Sequence, residues 1–243
     1  MTAEPLLVAE GVRHRFGALP VLDGVTFGVA AGEAVGIVGP NGAGKTTLLD
    51  VLAGSLRPNG GVVRFRGADV TTAGAASRCR LGIGRSHQVP RPFGEMTVFE
   101  NALVGATAGG SRRRAEAARL SLDALDRCRL TDLANRRAES LGLLDRKRLE
   151  MARALATDPA VLLLDEIGGG LTDAEAGELL ETIHAIRERG VAIVWIEHIV
   201  HVLVRLVGRL VCMDAGRVIA DGVPDAVMED AAVIDAYLGG GRS

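Results

Sequence analysis

The segment from Gly39 to Thr46 constrains the fold of this chain more than any other. It reads Gly-Pro-Asn-Gly-Ala-Gly-Lys-Thr and satisfies every fixed position of the pattern G-x-x-x-x-G-K-[ST]. The apolar run 34–38 leads into it as a short buried strand, and residues 47–52 leave it as a helix. Such a loop holds the phosphates of a nucleoside triphosphate, because glycines let the backbone approach the oxygens and the helix N-terminus favours an anion.

Each residue of this loop has an expected part in binding. Lys45 supplies a full positive charge to the β and γ phosphates, and the Thr46 hydroxyl is a ligand for Mg²⁺. The predicted binding set is the loop with the residue after it: Gly39, Pro40, Asn41, Gly42, Ala43, Gly44, Lys45, Thr46 and Thr47. A nucleoside triphosphate and Mg²⁺ are therefore the predicted ligands.

Composition and charge narrow the range of partners. Of 243 residues, 48% are apolar and 24% charged, as in ordinary globular proteins. The net charge of −2 gives no electrostatic reason to expect nucleic acid, since phosphate backbones need clustered Lys and Arg. The richest apolar stretch, 199–213, is interrupted by His201, Arg205 and Arg209 and is too short and polar to cross a bilayer. We expect a chain that is soluble, or peripheral to a membrane.

The order of sequence patterns predicts an α/β core interrupted by a helical insert. Strand-like alternation at 6–8, 25–29 and 62–65 gives way to helical spacing over 97–156. Continuous apolar runs at 161–164 and 191–196 are typical of parallel strands buried on both faces. Between these runs a helix is expected over 173–189, with Thr172 as its N-cap and Glu175 completing a capping box.

Two adjacent acids, Asp165 and Glu166, end the apolar run 161–164. An acid at the carboxyl end of a parallel strand faces the ligand crevice. Asp165 is therefore a candidate ligand for Mg²⁺, and Glu166 is a candidate general base for an attacking water. The alternative is a solvated acidic turn, which the phosphate loop in the same chain disfavours.

Two more polar residues follow predicted strands. His198 comes after the run 191–196, where its ring can hydrogen-bond a γ-phosphate or the attacking water. Gln88 follows the predicted short strand 81–83, and its amide can complete a metal shell or position water. The plainer alternatives are a structural histidine at a strand end and an ordinary loop glutamine.

Taken together, these motifs resemble the ATP-binding cassette (ABC) ATPases over nearly the whole chain. The phosphate loop, the glutamine loop at Gln88, the helical insert, the Asp165-Glu166 pair and the switch histidine His198 occur in that family's order and spacing. The resemblance implies ATP as the nucleotide and Phe16 as the aromatic that stacks on adenine, with a core position as the alternative for Phe16.

The resemblance also implies an architecture. It is an α/β fold, a P-loop NTPase core with an N-terminal antiparallel β-subdomain and a helical subdomain insert, in one ABC ATPase domain over 1–243. The nucleotide-binding core is expected over 1–85 and 159–220, the helical subdomain over 86–158 and a C-terminal helical tail over 221–243.

Three segments, 88–101, 148–155 and 233–239, look like the ATPase subunits of branched-chain amino acid importers. This likeness implies an ATP-hydrolysing subunit, peripheral at the cytoplasmic face of the cell membrane, that powers uptake of branched-chain amino acids or a related small solute. The implied partners are a second cassette ATPase, transmembrane permease subunits and, indirectly, a periplasmic or lipid-anchored solute-binding protein.

Other function classes fit less well. Cassette ATPases of DNA repair or translation usually carry a long coiled-coil insert or a second cassette in the same chain, and neither pattern is seen in this sequence. A phosphate-loop kinase or GTPase of another family would leave the helical insert, Gln88 and His198 unexplained.

One segment departs from the family pattern. Where the family has Leu-Ser-Gly-Gly-Gln or a close variant, this chain reads Leu-Gly-Leu-Leu-Asp at 141–145. In the family this signature contacts the γ-phosphate held by the other subunit of a dimer. The resemblance assigns that contact in trans to Gly142, Leu143, Leu144 and Asp145.

The substitutions change the chemistry expected of this signature segment. The serine hydroxyl is missing, Leu144 crowds the approach, and Asp145, expected as a helix cap and dipole partner, brings negative charge near phosphate. Two accounts are open: a divergent but working clamp that relies on backbone donors, or a degenerate, non-hydrolysing half of an asymmetric heterodimer.

Overall fold

A computed structural model of the chain describes residues 5–198 and 200–239. They divide into two compact units, one formed by the described residues up to 75 and from 192 onward, the other by 76–191. Within the described ranges, no helix combines the length and the apolar character needed to cross a bilayer. Ile199, which begins the apolar run named above, lies outside the described residues.

The first unit contains a four-stranded antiparallel sheet. Strand β1 (Leu7–Phe16) pairs with β2 (Leu19–Val29) on one side and with β4 (Gly60–Phe65) on the other, and β4 continues to the short β5 (Ala68–Asp69). The first two strands are longer than the apolar runs 6–8 and 25–29 predict. Their outer halves alternate exposed residues such as Arg13, Arg15 and Leu19 with the buried Val12 and Leu22, and the hairpin pairing holds the exposed ones.

The same unit holds the strands that carry the phosphate loop. Strand β3 (Ala34–Val38) is parallel to β8 (Ala192–Ile196) on one side and to β9 (Arg209–Asp214) on the other, and β10 (Arg217–Gly222) is antiparallel to β9. Every residue of β3 and β8 is buried, as the continuous apolar runs predict. The helices of this unit are α1 (Lys45–Ala53), α7 (Val200–Leu203), α8 (Pro224–Met228) and α9 (Ala231–Gly239).

The second unit is mainly helical around one pair of parallel strands. Strand β6 (Ile83–Arg85) pairs with β7 (Val161–Asp165), with Ile83 opposite Val161. The helices are α2 (Ala75–Leu81), α3 (Val98–Val104), α4 (Arg114–Arg127), α5 (Leu143–Leu155) and α6 (Asp173–Glu188), and a π-helical turn at Gly105–Gly109 extends α3. The helical spacing predicted over 97–156 is confirmed.

The short strand predicted at 81–83 is misplaced by two residues. Leu81 is exposed and ends α2, and the chain turns at Gly82 with a φ of +112° before β6 begins. The apolar residues of a short Leu-Gly-Ile run do not show which side of the glycine the strand occupies, since glycine at positive φ both ends helices and begins turns.

The capping box predicted for α6 is confirmed. The Thr172 hydroxyl accepts a hydrogen bond from the Glu175 N–H at 3.3 Å, and the Glu175 carboxylate accepts one from the Thr172 N–H at 2.8 Å. Hydrogen bonds from the Thr172 backbone and hydroxyl hold the pKa of Glu175 below its usual value. The box fixes the start of the helix that follows the two acids.

Replacing Thr172 with alanine is expected to destabilise the protein by about 1 kcal/mol, because the Glu175 N–H and the Glu175 carboxylate both lose the Thr172 hydroxyl as a hydrogen-bond partner. Thermal unfolding should show a melting temperature lower by about 2–4 °C. Thr172→Ser keeps the hydroxyl and serves as the control. An equal loss in both variants would contradict the assignment of the cap.

Candidate functional site

The loop between β3 and α1 has a backbone that only glycine accommodates well. Gly39, Gly42 and Gly44 have φ values of +141°, +80° and +97°. A Cβ on Gly39 would lie 2.0 Å from the carbonyl oxygen of Met213, and one on Gly44 would lie 2.7 Å from that of Val21. A Cβ on Gly42 would meet nothing within 4 Å. Contacts with neighbouring backbone therefore require glycine at 39 and 44, whereas Gly42 faces open space where a ligand can approach.

Lys45 brings its charge to this loop. Its side chain is only 6% exposed, and Nζ donates to the carbonyl oxygens of Gly39 at 2.7 Å and Pro40 at 2.9 Å. Helix α1 begins at the same residue, with Gly44 as an N-cap that makes no side-chain hydrogen bond. A buried ammonium and a helix N-terminus without a side-chain cap therefore meet at one point, which fits a phosphate group.

The remaining predicted loop residues differ in exposure. Asn41 and Thr46 are exposed, Pro40 and Thr47 are half-buried, and Ala43 is buried within the loop. The Ala43 N–H donates to the Pro40 carbonyl at 3.3 Å, which closes the turn.

His198 lies next to this loop in the sheet order. Ile37 of β3 pairs with Ile196 of β8 in parallel register, so the loop and the Glu197-His198 pair leave the carboxyl ends of adjacent strands. The buried Glu197 carboxylate accepts a hydrogen bond from the His198 N–H at 3.0 Å. Glu197 was not among the predicted site residues, and it shapes the turn that presents the exposed His198.

Phe16 is exposed at the tip of the β1–β2 hairpin. Its ring is 51% exposed, which rules out the core position considered for it. The ring of His14 contacts it edge to face, with centroids 4.7 Å apart and an interplanar angle of 80°. The exposed face leaves an aromatic surface for a flat ligand.

In the second unit, Asp165 lies at the buried end of β7. Arg85, the last residue of the neighbouring β6, donates from Nη2 to Oδ2 of Asp165 at 3.3 Å. Both side chains are largely buried, so the guanidinium balances the carboxylate where water cannot. Sequence reasoning missed Arg85, because the strand was predicted at 81–83 and Arg85 ends the strand only as the structure places it.

The structure brings Gln88 and Glu166 together. Nε2 of Gln88 donates to Oε2 of Glu166 at 2.6 Å. Glu166 has a φ of +46°, a left-handed conformation that is uncommon for residues other than glycine and often marks functional sites. A cavity of about 340 Å³ lies beside this pair, lined by His87, Gln88, Val89, Arg91 and Asp165.

The segment 141–145 starts helix α5 in an unexpected way. Gly142 is the N-cap, extended and without a side-chain hydrogen bond, so the expectation that Asp145 caps the helix is wrong. Asp145 lies in the first turn, as expected of a partner for the helix dipole, and its Oδ1 accepts from Nη1 of Arg148 at 3.3 Å. Arg148 also donates to Glu178 at 2.9 Å. Leu143 is 43% exposed at the helix start, and Leu144 is half-buried.

The loop has glycines at positive φ, a lysine whose Nζ donates to a carbonyl of the loop, and a helix that begins without a side-chain cap. Together these features define the phosphate site of a P-loop nucleotide-binding protein. A family model described as ABC transporter matches residues 22–168. A second, described as branched-chain amino acid ATP-binding cassette transporter, matches 217–243. The chain belongs to the ABC transporter family, as one of its ATP-binding cassettes, and it is an ATPase.

Similar proteins match over nearly their whole lengths. The high-affinity branched-chain amino acid transport ATP-binding protein BraF of Pseudomonas aeruginosa is 34% identical, over 98% of this chain and 99% of the relative. The corresponding protein LivG of Escherichia coli K12 is 36% identical with the same coverage.

Solved structures of ATP-binding cassettes have the same fold as this chain. A nucleotide-free ATP-binding cassette from an ABC transporter superposes with a TM-score of 0.89 at 30% identity, over 96% of this chain and 99% of that one. A cassette in its ADP conformation gives 0.90 at 30% identity, over 98% and 100%. The predicted α/β ABC ATPase fold is confirmed.

Lys45→Met should weaken ATP binding at least about 30-fold, because the variant removes the ammonium that donates to the Gly39 and Pro40 carbonyls. Equilibrium titration with a fluorescent ATP analogue measures the dissociation constant. Arg57→Met, which removes an exposed cation beyond α1, should change it by no more than about twofold. Equal losses in the two variants would show that the effect is general electrostatics and not the loop.

Proposed function

We propose that this chain is the ATP-hydrolysing subunit of an importer for branched-chain amino acids or a related small solute, bound to permease subunits at the cytoplasmic face of the membrane. The observation that carries this proposal is the match over nearly full length to BraF and LivG, together with the 217–243 match to the branched-chain family model. The solute itself would contact the permease and the solute-binding protein, so the identity of that solute rests on the relatives' names alone.

The geometry supports a division of labour in ATP hydrolysis. Glu166 takes the proton of the water that attacks the γ-phosphate, and the Gln88 amide orients its carboxylate through the 2.6 Å bond. Lys45, held over the loop by two carbonyls, turns its ammonium to the phosphates and offsets their charge. His198, exposed at the end of β8, contacts the γ-phosphate and so distinguishes triphosphate from diphosphate.

The residues assigned to Mg²⁺ suit a hard cation. Thr46 offers a hydroxyl, Asp165 a carboxylate and Gln88 an amide oxygen, so the donor set is oxygen only. Because Nε2 of Gln88 is engaged by Glu166, Oε1 of Gln88 is the atom left for the metal. When bound, Mg²⁺ neutralises charge on the transferred phosphoryl group. Arg85 keeps the Asp165 carboxylate in place through the 3.3 Å ion pair.

The altered signature segment supports the account of a divergent but working clamp. Asp145 forms an ion pair with Arg148, so its negative charge, which would repel a phosphate, is partly balanced. Gly142 leaves the first turn of α5 without a side-chain cap, which suits backbone N–H groups that bind an anion. We therefore propose that the segment reaches the nucleotide of a second cassette through backbone donors.

ATPase assays on the purified chain over a range of concentrations test this proposal about the signature. If two copies form each site, the rate per subunit rises with protein concentration as dimers form. Activity that appears only when a different cassette is added would favour the asymmetric heterodimer. A rate per subunit that does not change with concentration, with or without a second cassette, would overturn the composite site.

Glu166→Gln should lower the ATPase rate by about 10²–10⁴-fold, because the amide cannot accept the proton of the attacking water. The variant is expected to retain ATP affinity, since the loop of the other unit is untouched. The rate of phosphate release by the complex with permease measures the effect, and Glu188→Gln, at an exposed position on α6, is the control. Unchanged hydrolysis in Glu166→Gln would show that another group is the base.

The transport role has its own test. The full chain should co-purify from detergent-solubilised membranes with polytopic subunits, and its loss should reduce uptake of radiolabelled leucine, isoleucine or valine. A chain found only in a complex without any permease would overturn the transport proposal while leaving its ATPase activity in place.

A further inference from the structure

The end of the chain contacts the beginning of the phosphate loop. The Gly39 N–H donates to the hydroxyl oxygen of Tyr237 at 2.9 Å, although the two residues are 198 positions apart. Tyr237 lies on α9 (Ala231–Gly239), the last described helix, and Gly39 is buried. Both residues belong to the first compact unit.

Gly39 is the most constrained residue of that loop. Its φ is +141°, and a Cβ at this position would lie 2.0 Å from the Met213 carbonyl oxygen. These two constraints restrict the backbone conformation of Gly39. Its carbonyl accepts from Nζ of Lys45 at 2.7 Å, while its N–H is used by Tyr237. Tyr237 and Lys45 therefore hold the two polar groups of the same residue.

Nucleotide binding is expected to affect the hydrogen bonds of Gly39 with Lys45 and with Tyr237 differently. Lys45 turns its ammonium toward phosphate, so its bonds to the Gly39 and Pro40 carbonyls weaken or are shared. The bond to Tyr237 involves an N–H at the start of the loop, ahead of the helix N-terminus, and does not compete with phosphate. Tyr237 is then the side chain that still fixes Gly39.

Helix α9 and the start of the loop line the same cavity. Val233 is buried and anchors the helix, whereas Ile234 and Leu238 are exposed, Leu238 by 78%. The cavity, of about 590 Å³, is lined by Pro40 and Asn41 from the loop and by Ala232, Asp235 and Ala236 from the helix, together with Asp214 and Ile219. The Tyr237 hydroxyl connects the helix to the loop beside this cavity, so removing its oxygen atom should loosen the start of the loop.

We infer that Tyr237 is a positioning residue for nucleotide binding, which sets the start of the phosphate loop from the C-terminal helix through its hydrogen bond with Gly39. The inference rests on nucleotide binding by the loop and is independent of which solute is transported. Burial raises the pKa of the Tyr237 hydroxyl, so it stays a neutral phenol at physiological pH and accepts the N–H throughout.

The test compares the full chain with its Tyr237→Phe and Tyr237→Ala variants. Removing one hydrogen bond to a buried N–H should weaken the binding of a fluorescent ADP analogue by about 3- to 10-fold in Tyr237→Phe, and by at least as much in Tyr237→Ala. In the ATPase assay the KM for ATP should rise by the same factor while kcat stays within about twofold. Leu238→Ala, on the same helix and exposed, should bind like the unaltered chain.

Hydrogen–deuterium exchange gives a second measurement that does not depend on activity. The peptide containing the Gly39 amide should lose protection in Tyr237→Phe and keep it in Leu238→Ala. Tyr237→Phe binding as tightly as the unaltered chain would overturn the inference, and if Tyr237→Ala alone were weak, ring packing would be the cause. A loss of kcat at unchanged affinity would also overturn it. Failure of the unaltered chain to bind the analogue would instead refute nucleotide binding itself.

Discussion

The close approach of backbone to backbone around the phosphate loop is the constraint on which the rest of the first unit depends. Met213 of β9 and Val21 of β2 put carbonyl oxygens where the side chains of residues 39 and 44 would be. The Gly216 N–H donates to the Ala43 carbonyl at 3.1 Å, and the Asp23 N–H donates to the Gly216 carbonyl at 2.9 Å. The β1–β2 and β9–β10 hairpins therefore hold the loop from two sides. Their backbones impose its left-handed conformation before any ligand binds.

A second physical theme is that three acids at or after strand ends, taken within their own units, have partners that fix their positions. Asp165 faces Arg85, Glu166 accepts from Gln88, and Glu197 accepts from the His198 N–H. In the hydrolysis proposed above, arranging these groups in advance would remove part of the reorganisation that the reaction otherwise requires. The cost is visible at Glu166, whose left-handed backbone must be held by its surroundings.

Sequence reasoning succeeded where the chemistry is local. The phosphate loop and the Thr172 capping box depend on residues a few positions apart, whose spacing is fixed by the motif itself. It failed where position depends on pairing across the chain. The ion pair of Arg85 with Asp165 requires the β6–β7 register, and the contact of Tyr237 with Gly39 requires a helix 198 residues away to fold back on the loop.

The misassigned helix start at Asp145 has a different cause. Aspartate is a favoured N-cap, so propensity pointed to it, but Arg148 one turn later is buried and draws the carboxylate to itself. Gly142 is left as the cap, which contributes no side chain. In the proposed contact with a second nucleotide, this segment therefore offers backbone donors, whose geometry the start of α5 must supply. The chain's own loop differs, because the Tyr237 side chain contacts it directly.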